Sequence, residues 1–311
     1  LDVTDFSLDG NIFAGGVMTL SAGAGNINQN GRVITAGTLN ASATGELTFT
    51  RANAVTTLGN MSAGDRIFFS NADGFSIAGI LISDQIVLTS QDGGVTQTGG
   101  AITAGALAVD AELDVILGQA GNDVDTLNLV SVRNGGFTYR DVDSVSLSGP
   151  VSMTGVATFD VGGDLTQSGT GLISASRVQG SAGGAFALGD LANNVGQLGP
   201  ITADRIAFVS SGGLNLAGTL TATNGVELKA DTGITQSIGA AITGTTLRAQ
   251  ANGDITLDQD NDLDSVTLLY SQFGDISYSD IDGFSFDPTV YGDIWTMGTT
   301  TLRAGSTGGF S

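Results

Sequence analysis

The fold class this sequence predicts is all-β, a solenoid of stacked coils of the parallel β-helix type, and three observations predict it. One phrase recurs four times: NINQNGRVITAG at 26–37, GVTQTGGAITAG at 94–105, DLTQSGTGLISA at 164–175 and GITQSIGAAITG at 233–244. Such self-similarity marks a repeat architecture. Between the turns the chain is short-stepped and alternating, as in GELTFT (45–50), DVILG (114–118), GVELKA (225–230) and GDITLD (253–258), which is the period of a half-buried strand. The third observation is composition: 48 Gly but 3 Pro in 311 residues, and 28 Asp against 3 Glu. Residues of this kind serve turns and caps better than helix interiors, and so little Pro excludes collagen and Pro-rich linkers. With 41% hydrophobic residues the chain can bury a core, and disorder is disfavoured.

The repeat has two independent anchors. Gln29, Gln97, Gln167 and Gln236 are separated by 68, 70 and 69 residues, and Asn53, Asn122, Asn193 and Asn261 by 69, 71 and 68. Modules therefore lie near 26–93, 94–163, 164–232 and 233–283. Looser echoes (SIAG at 76–79, SLSG at 146–149, NLAG at 215–218, degraded to SFDP at 285–288) keep the same period. Inside a module, GNINQ, GELTF and DRIFF return at roughly 20-residue intervals, so the coil is the basic unit and a module holds about three. A propeller of four blades would need an aromatic signature per blade, and the chain has one Trp.

Coil stacking explains the residue choice. Equivalent positions lie about 4.8 Å apart, so like side chains form ladders. Val, Ile, Leu and Phe fill the inside, Thr and Ser the outside, and Gly and Asn take the corners. The Asn anchors are expected to share amide hydrogen bonds with coils above and below. The Gln anchors are expected to serve coil-to-coil hydrogen bonding or turns; the functional alternative is a polar track for glycan hydroxyls.

VTQTGGAITAGALAVDAELDVILGQAGNDVDTL at 95–127 resembles the repeat region of filamentous haemagglutinin-like exoproteins, the bacterial surface adhesins exported by two-partner secretion. The resemblance covers most of 20–270. It implies a right-handed β-helix, export across the outer membrane and a role as stalk or adhesive rod. That family's Asn-Pro-Asn secretion motif has no counterpart at Pro150, Pro200 or Pro288, so the chain reads as an interior or C-terminal segment or as a relative exported by another route.

Net charge is −21 with a pI of about 4.1, which disfavours nucleic acid and bare anionic membrane as partners. No apolar run is long enough for a spanning helix. No cofactor is implied. Calcium is the ion that DQDNDLD would accept if Asp258, Asp260, Asp262 and Asp264 share a strand face, although the stretch lacks the Gly and distal Glu of an EF-hand loop. Enzymatic β-helices cluster Asp, Arg, Lys or His on one face. Here His is absent, and Asp141 with Asp143 in YRDVDS is the pair of acids a glycosidase reading would invoke. The expectation is a non-enzymatic protein.

Three of the four tyrosines (Tyr270, Tyr278, Tyr291), Trp295 and Pro288 lie between 270 and 295. This predicts a repeat domain over 1–283 followed by a C-terminal segment, 284–311, that caps the last coil or contacts a partner. The expected function is a cell-surface or secreted β-helical adhesin stalk that meets a host or neighbouring-cell glycan or protein. Self-association end to end into an extracellular filament or sheath is the alternative, and a polysaccharide-processing enzyme the third.

Overall fold

The computed structural model describes residues 5–286 and 294–305. Every regular element among them is a strand, and the strands pair in parallel with partners about 20 residues away, the register of a β-solenoid. The chain forms two compact units, Leu1–Gly155 and Val156–Ser311.

Inside the first unit, parallel register turns the alternation of the sequence into columns. Ile27, Leu47, Ile67, Ile86, Leu107, Leu127 and Leu147 stack one per coil, and all are fully buried. Each such side chain contributes roughly 1.5–3 kcal/mol by leaving water. A second column runs Met18, Leu39, Leu58, Ile77 and Gln97. Corners need close backbone approach: Gly100 has φ +64, and a Cβ there would lie 2.0 Å from the Gly79 carbonyl oxygen.

The second unit repeats these columns. Leu165, Phe186, Ile206, Val226, Leu247, Val266 and Phe286 form one, and Val178, Leu198, Leu216 and Gln236 form the other. Gln97 and Gln236 therefore occupy the same place in their units. Gln29 does not share the column of Gln97; it follows the Ile27 and Asn28 pairs with Leu47 and Thr48. A module is three coils and a fraction, so successive anchors fall on different faces. The arrangement returns only after two modules.

The described part of the segment expected to cap the last coil or contact a partner pairs as further strands. Ser285–Phe286 and Ile294–Thr296 pair with Ile255–Ser271, and Thr300–Ala304 pairs with Ile276–Asp280. Ile294 and Thr296, and the TTLRA stretch, keep the β-branched alternation that suits another coil. The rest of 287–293 and 306–311, with Tyr291, lies outside the described residues.

Candidate functional site

The two amide anchors of each module meet. Gln29 Nε2 donates to Asn53 Oδ1 at 2.7 Å, Gln97 to Asn122 at 2.7 Å, Gln167 to Asn193 at 2.6 Å and Gln236 to Asn261 at 2.7 Å. The same Asn oxygen accepts the backbone N–H of Ile34, Ile102, Ile173 or Ile242. The Asn Nδ2 donates to a carbonyl on the coil above, that of Ser70, Arg140, Val209 or Ser279. It also donates to a carbonyl four or five residues earlier, that of Phe49, Leu117, Leu188 or Leu257. All four Asn are fully buried. Their hydrogen-bonding capacity is taken up by the chain itself, which is what burial of an amide requires.

The coil that follows each Asn carries a second buried polar seat, which the sequence reading missed. Asn71, Ser210 and Asp280 stack directly on Asn53, Asn193 and Asn261, and Asp141 follows Asn122 in the same way. Asn71 Oδ1 accepts from the Val55 N–H at 2.9 Å. Asp141 Oδ2 accepts from Val124 at 3.1 Å and Asp280 Oδ2 from Leu263 at 3.2 Å. Two residues earlier stands Phe69, Tyr139, Phe208 or Tyr278, all buried. Where the ring is Tyr the seat is Asp, and where it is Phe the seat is Asn or Ser. Tyr139 donates its hydroxyl to Asp141, and Tyr278 donates to Asp280 at 2.8 Å. Burial, reinforced by these carboxyls, pushes both phenols well above their ordinary range. Burial likewise pushes the Asp141 carboxyl up to about 6 and raises that of Asp280, against the opposing donors from Tyr and backbone N–H groups. Echoes of TYRD and SYSD two modules apart were the signal available in the sequence.

Asp141 is 3% exposed and takes the Asp143 backbone N–H at 3.2 Å, so it does not face solvent as a catalytic pair with Asp143 would need. Asp258, Asp260, Asp262 and Asp264 are exposed at alternate positions of Ile255–Ser271. The pairing of this strand shifts register between Leu257 and Asn261, and among the described residues no group of three acids is placed to hold a metal. The aromatic group also separates. Tyr278 is a core residue and unavailable to any partner, whereas Tyr270 and Trp295 stack on the outer face with centroids 4.9 Å apart and an interplanar angle of 13°.

That outer face is the most distinctive surface of the second unit. The outward row Ala187, Ala207, Glu227, Arg248, Leu268 runs beside Val209, Lys229, Gln250, Tyr270, Trp295. Two methyl-sized residues followed by long ones leave a concavity of about 580 Å³ lined by Ala187, Ala207, Arg205, Glu227, Lys229 and Arg248 among others. Glu227 lies between Arg205 Nη2 at 2.6 Å and Arg248 Nε at 3.5 Å.

Two stretches of the chain, 63–131 and 203–269, match one known family. It is described as repeats of unknown function (DUF5649). The two matches fall one in each unit and start at corresponding places two modules apart, in agreement with the duplication seen in the columns. Neither the curated proteins nor the solved structures contain a match to this chain. Among the described residues no helix is long and apolar enough to cross a membrane.

Proposed function

We propose that this chain is a non-enzymatic β-solenoid scaffold, displayed on a bacterial surface or secreted, that acts as the stalk or adhesive part of a filamentous haemagglutinin-like exoprotein. One observation carries the reading: the polar residues that recur in every module are turned inward and satisfied by backbone, while the outward rows differ from unit to unit. Repetition thus builds the frame, and the surface is left free to vary, which suits a protein whose work is contact. Its partner in this reading is a glycan or protein on a host or neighbouring cell.

The test is retention. Beads carrying the folded chain should be held on epithelial or bacterial cell layers more strongly than beads carrying the same chain unfolded by urea and blocked, or an unrelated protein of equal negative charge. Retention no better than either control would overturn the adhesive reading. Growth of the purified chain into filaments in electron micrographs would replace it with the structural polymer.

A further inference from the structure

Basic residues are few in this protein, and three of those in the second unit meet. The protein has ten basic residues against 31 acidic ones and a single lysine, yet Arg205, Lys229 and Arg248 line one concavity whose described lining includes one carboxylate, Glu227. Lys229 is exposed and, among the described residues, has no ion-pair partner. Parallel register carries its row onward through Gln250 to the stacked pair Tyr270 and Trp295. Three coil steps separate Lys229 from Trp295, about 14 Å. Cations, an amide and an aromatic wall in one line match a polymer that offers anions, hydroxyls and apolar ring faces in turn.

Glu227 shows which anion the guanidinium groups take. Its carboxylate already sits between Arg205 and Arg248, and Lys229 on the same coil is left for a carboxylate from outside. We propose that this face binds a carboxylate-bearing polysaccharide, a polyuronate, with Lys229 and the Nη groups of Arg248, whose Nε alone pairs with Glu227, on its carboxylates, Gln250 on its hydroxyls and Tyr270 and Trp295 against its rings. The proposal rests on the reading of the chain as a contact module and names its ligand class. A polyuronate carries one charge per sugar. Nucleic acid, with a charge about every 1.7 Å of duplex, is far more strongly opposed by a chain of net charge −21. At physiological salt that overall repulsion is screened beyond about 8 Å, and the groove's own charges decide the contact.

The experiment is calorimetric titration of the full chain with polygalacturonate fragments at physiological salt, with neutral dextran, dextran sulfate and a single-stranded oligonucleotide as parallel arms. Polygalacturonate is expected to bind and neutral dextran not. Lys229→Gln with Arg248→Gln should weaken binding ten-fold or more, and Trp295→Ala several-fold. Arg66→Gln with Arg133→Gln removes the same charge from the first unit and should leave binding within two-fold. All variants are surface changes whose fold is checked by circular dichroism. Equal losses in the two double variants, tighter binding of dextran sulfate or oligonucleotide than of polygalacturonate, or no binding would each overturn the proposal. Bead retention separates this failure from that of the adhesive reading: retention unaffected by Lys229→Gln with Arg248→Gln leaves adhesion standing without this site, and polygalacturonate binding without retention does the reverse.

Discussion

Arg133 in the first unit and Glu227 in the second are opposite solutions on equivalent frames. Arg133 is held by two carboxylates, Asp110 at 2.9 Å and Glu112 at 3.7 Å, whereas Glu227 is held by two guanidinium groups. The rows around them follow the same register. Ser70, Thr89, Asp110, Ser131 and Ser152 in the first unit stand where the second unit has Val209, Lys229, Gln250, Tyr270 and Trp295. Inside, Ile for Val or Leu for Phe is the usual extent of change. Outside, charge changes sign. A ladder tolerates any outward side chain that fits its neighbours above and below, but an inward one must fill a fixed volume at near-crystalline density, so the two units agree in the core and diverge on the face.

The strongest way to break this comparison is to attack the shared frame. Asn122→Ala and Asn261→Ala each remove an amide that satisfies backbone groups on two coils, and each is expected to cost about 3–5 kcal/mol, read as a lowered urea midpoint. A small effect at one site alone would show that the two frames are not equivalent.

Next comes the ionisable seat. Asp141 titrates near 6 in the fold against 3.8 for an ordinary carboxyl, so its protonated form is favoured by folding. Its stabilising contribution is complete below about pH 4 and is lost as pH rises through 6. Asn71 fills the corresponding seat of the preceding module with a neutral amide that donates to Val55 and Asp73 carbonyls. Asp141→Asn should therefore gain on wild type by on the order of 1–2 kcal/mol between pH 4.5 and 7.5, the figure allowing for solvent screening. Denaturant midpoints at the two pH values check this, and a pH-independent difference would refute it.

Tyr139→Phe copies the ring found at Phe69 and Phe208, removes one donor to Asp141 and is expected to cost about 1 kcal/mol at neutral pH. The smallest effect sharpens the contrast between surfaces: Thr89→Lys, Asp110→Gln and Ser131→Tyr transplant the second unit's row onto the first. A second, weaker polygalacturonate site should then appear in calorimetry with stability almost unchanged.

Much of this was legible in the residues. The period, the strand alternation and both amide anchors could be read directly, because a ladder repeats its requirements at every coil. What Gln and Asn do for each other could not, since residues 24 to 26 positions apart meet only after a coil and a fraction has been wound. The C-terminal aromatics divide for the same reason. Tyr270 and Tyr278 are equally tyrosine, and only the strand phase sends one outward to Trp295 and the other inward to Asp280.

The sequence by itself determined that this protein is a repetitive all-β solenoid, since local alternation, turn residues and periodicity are properties of neighbouring positions. The tertiary structure alone decided that the repeat closes after two modules, which buried carboxyls meet a phenol, and that scattered basic residues gather on one face of the second unit. Those outcomes depend on coil length modulo the number of faces, and a fraction of a coil per module is enough to carry equal residues to different sides.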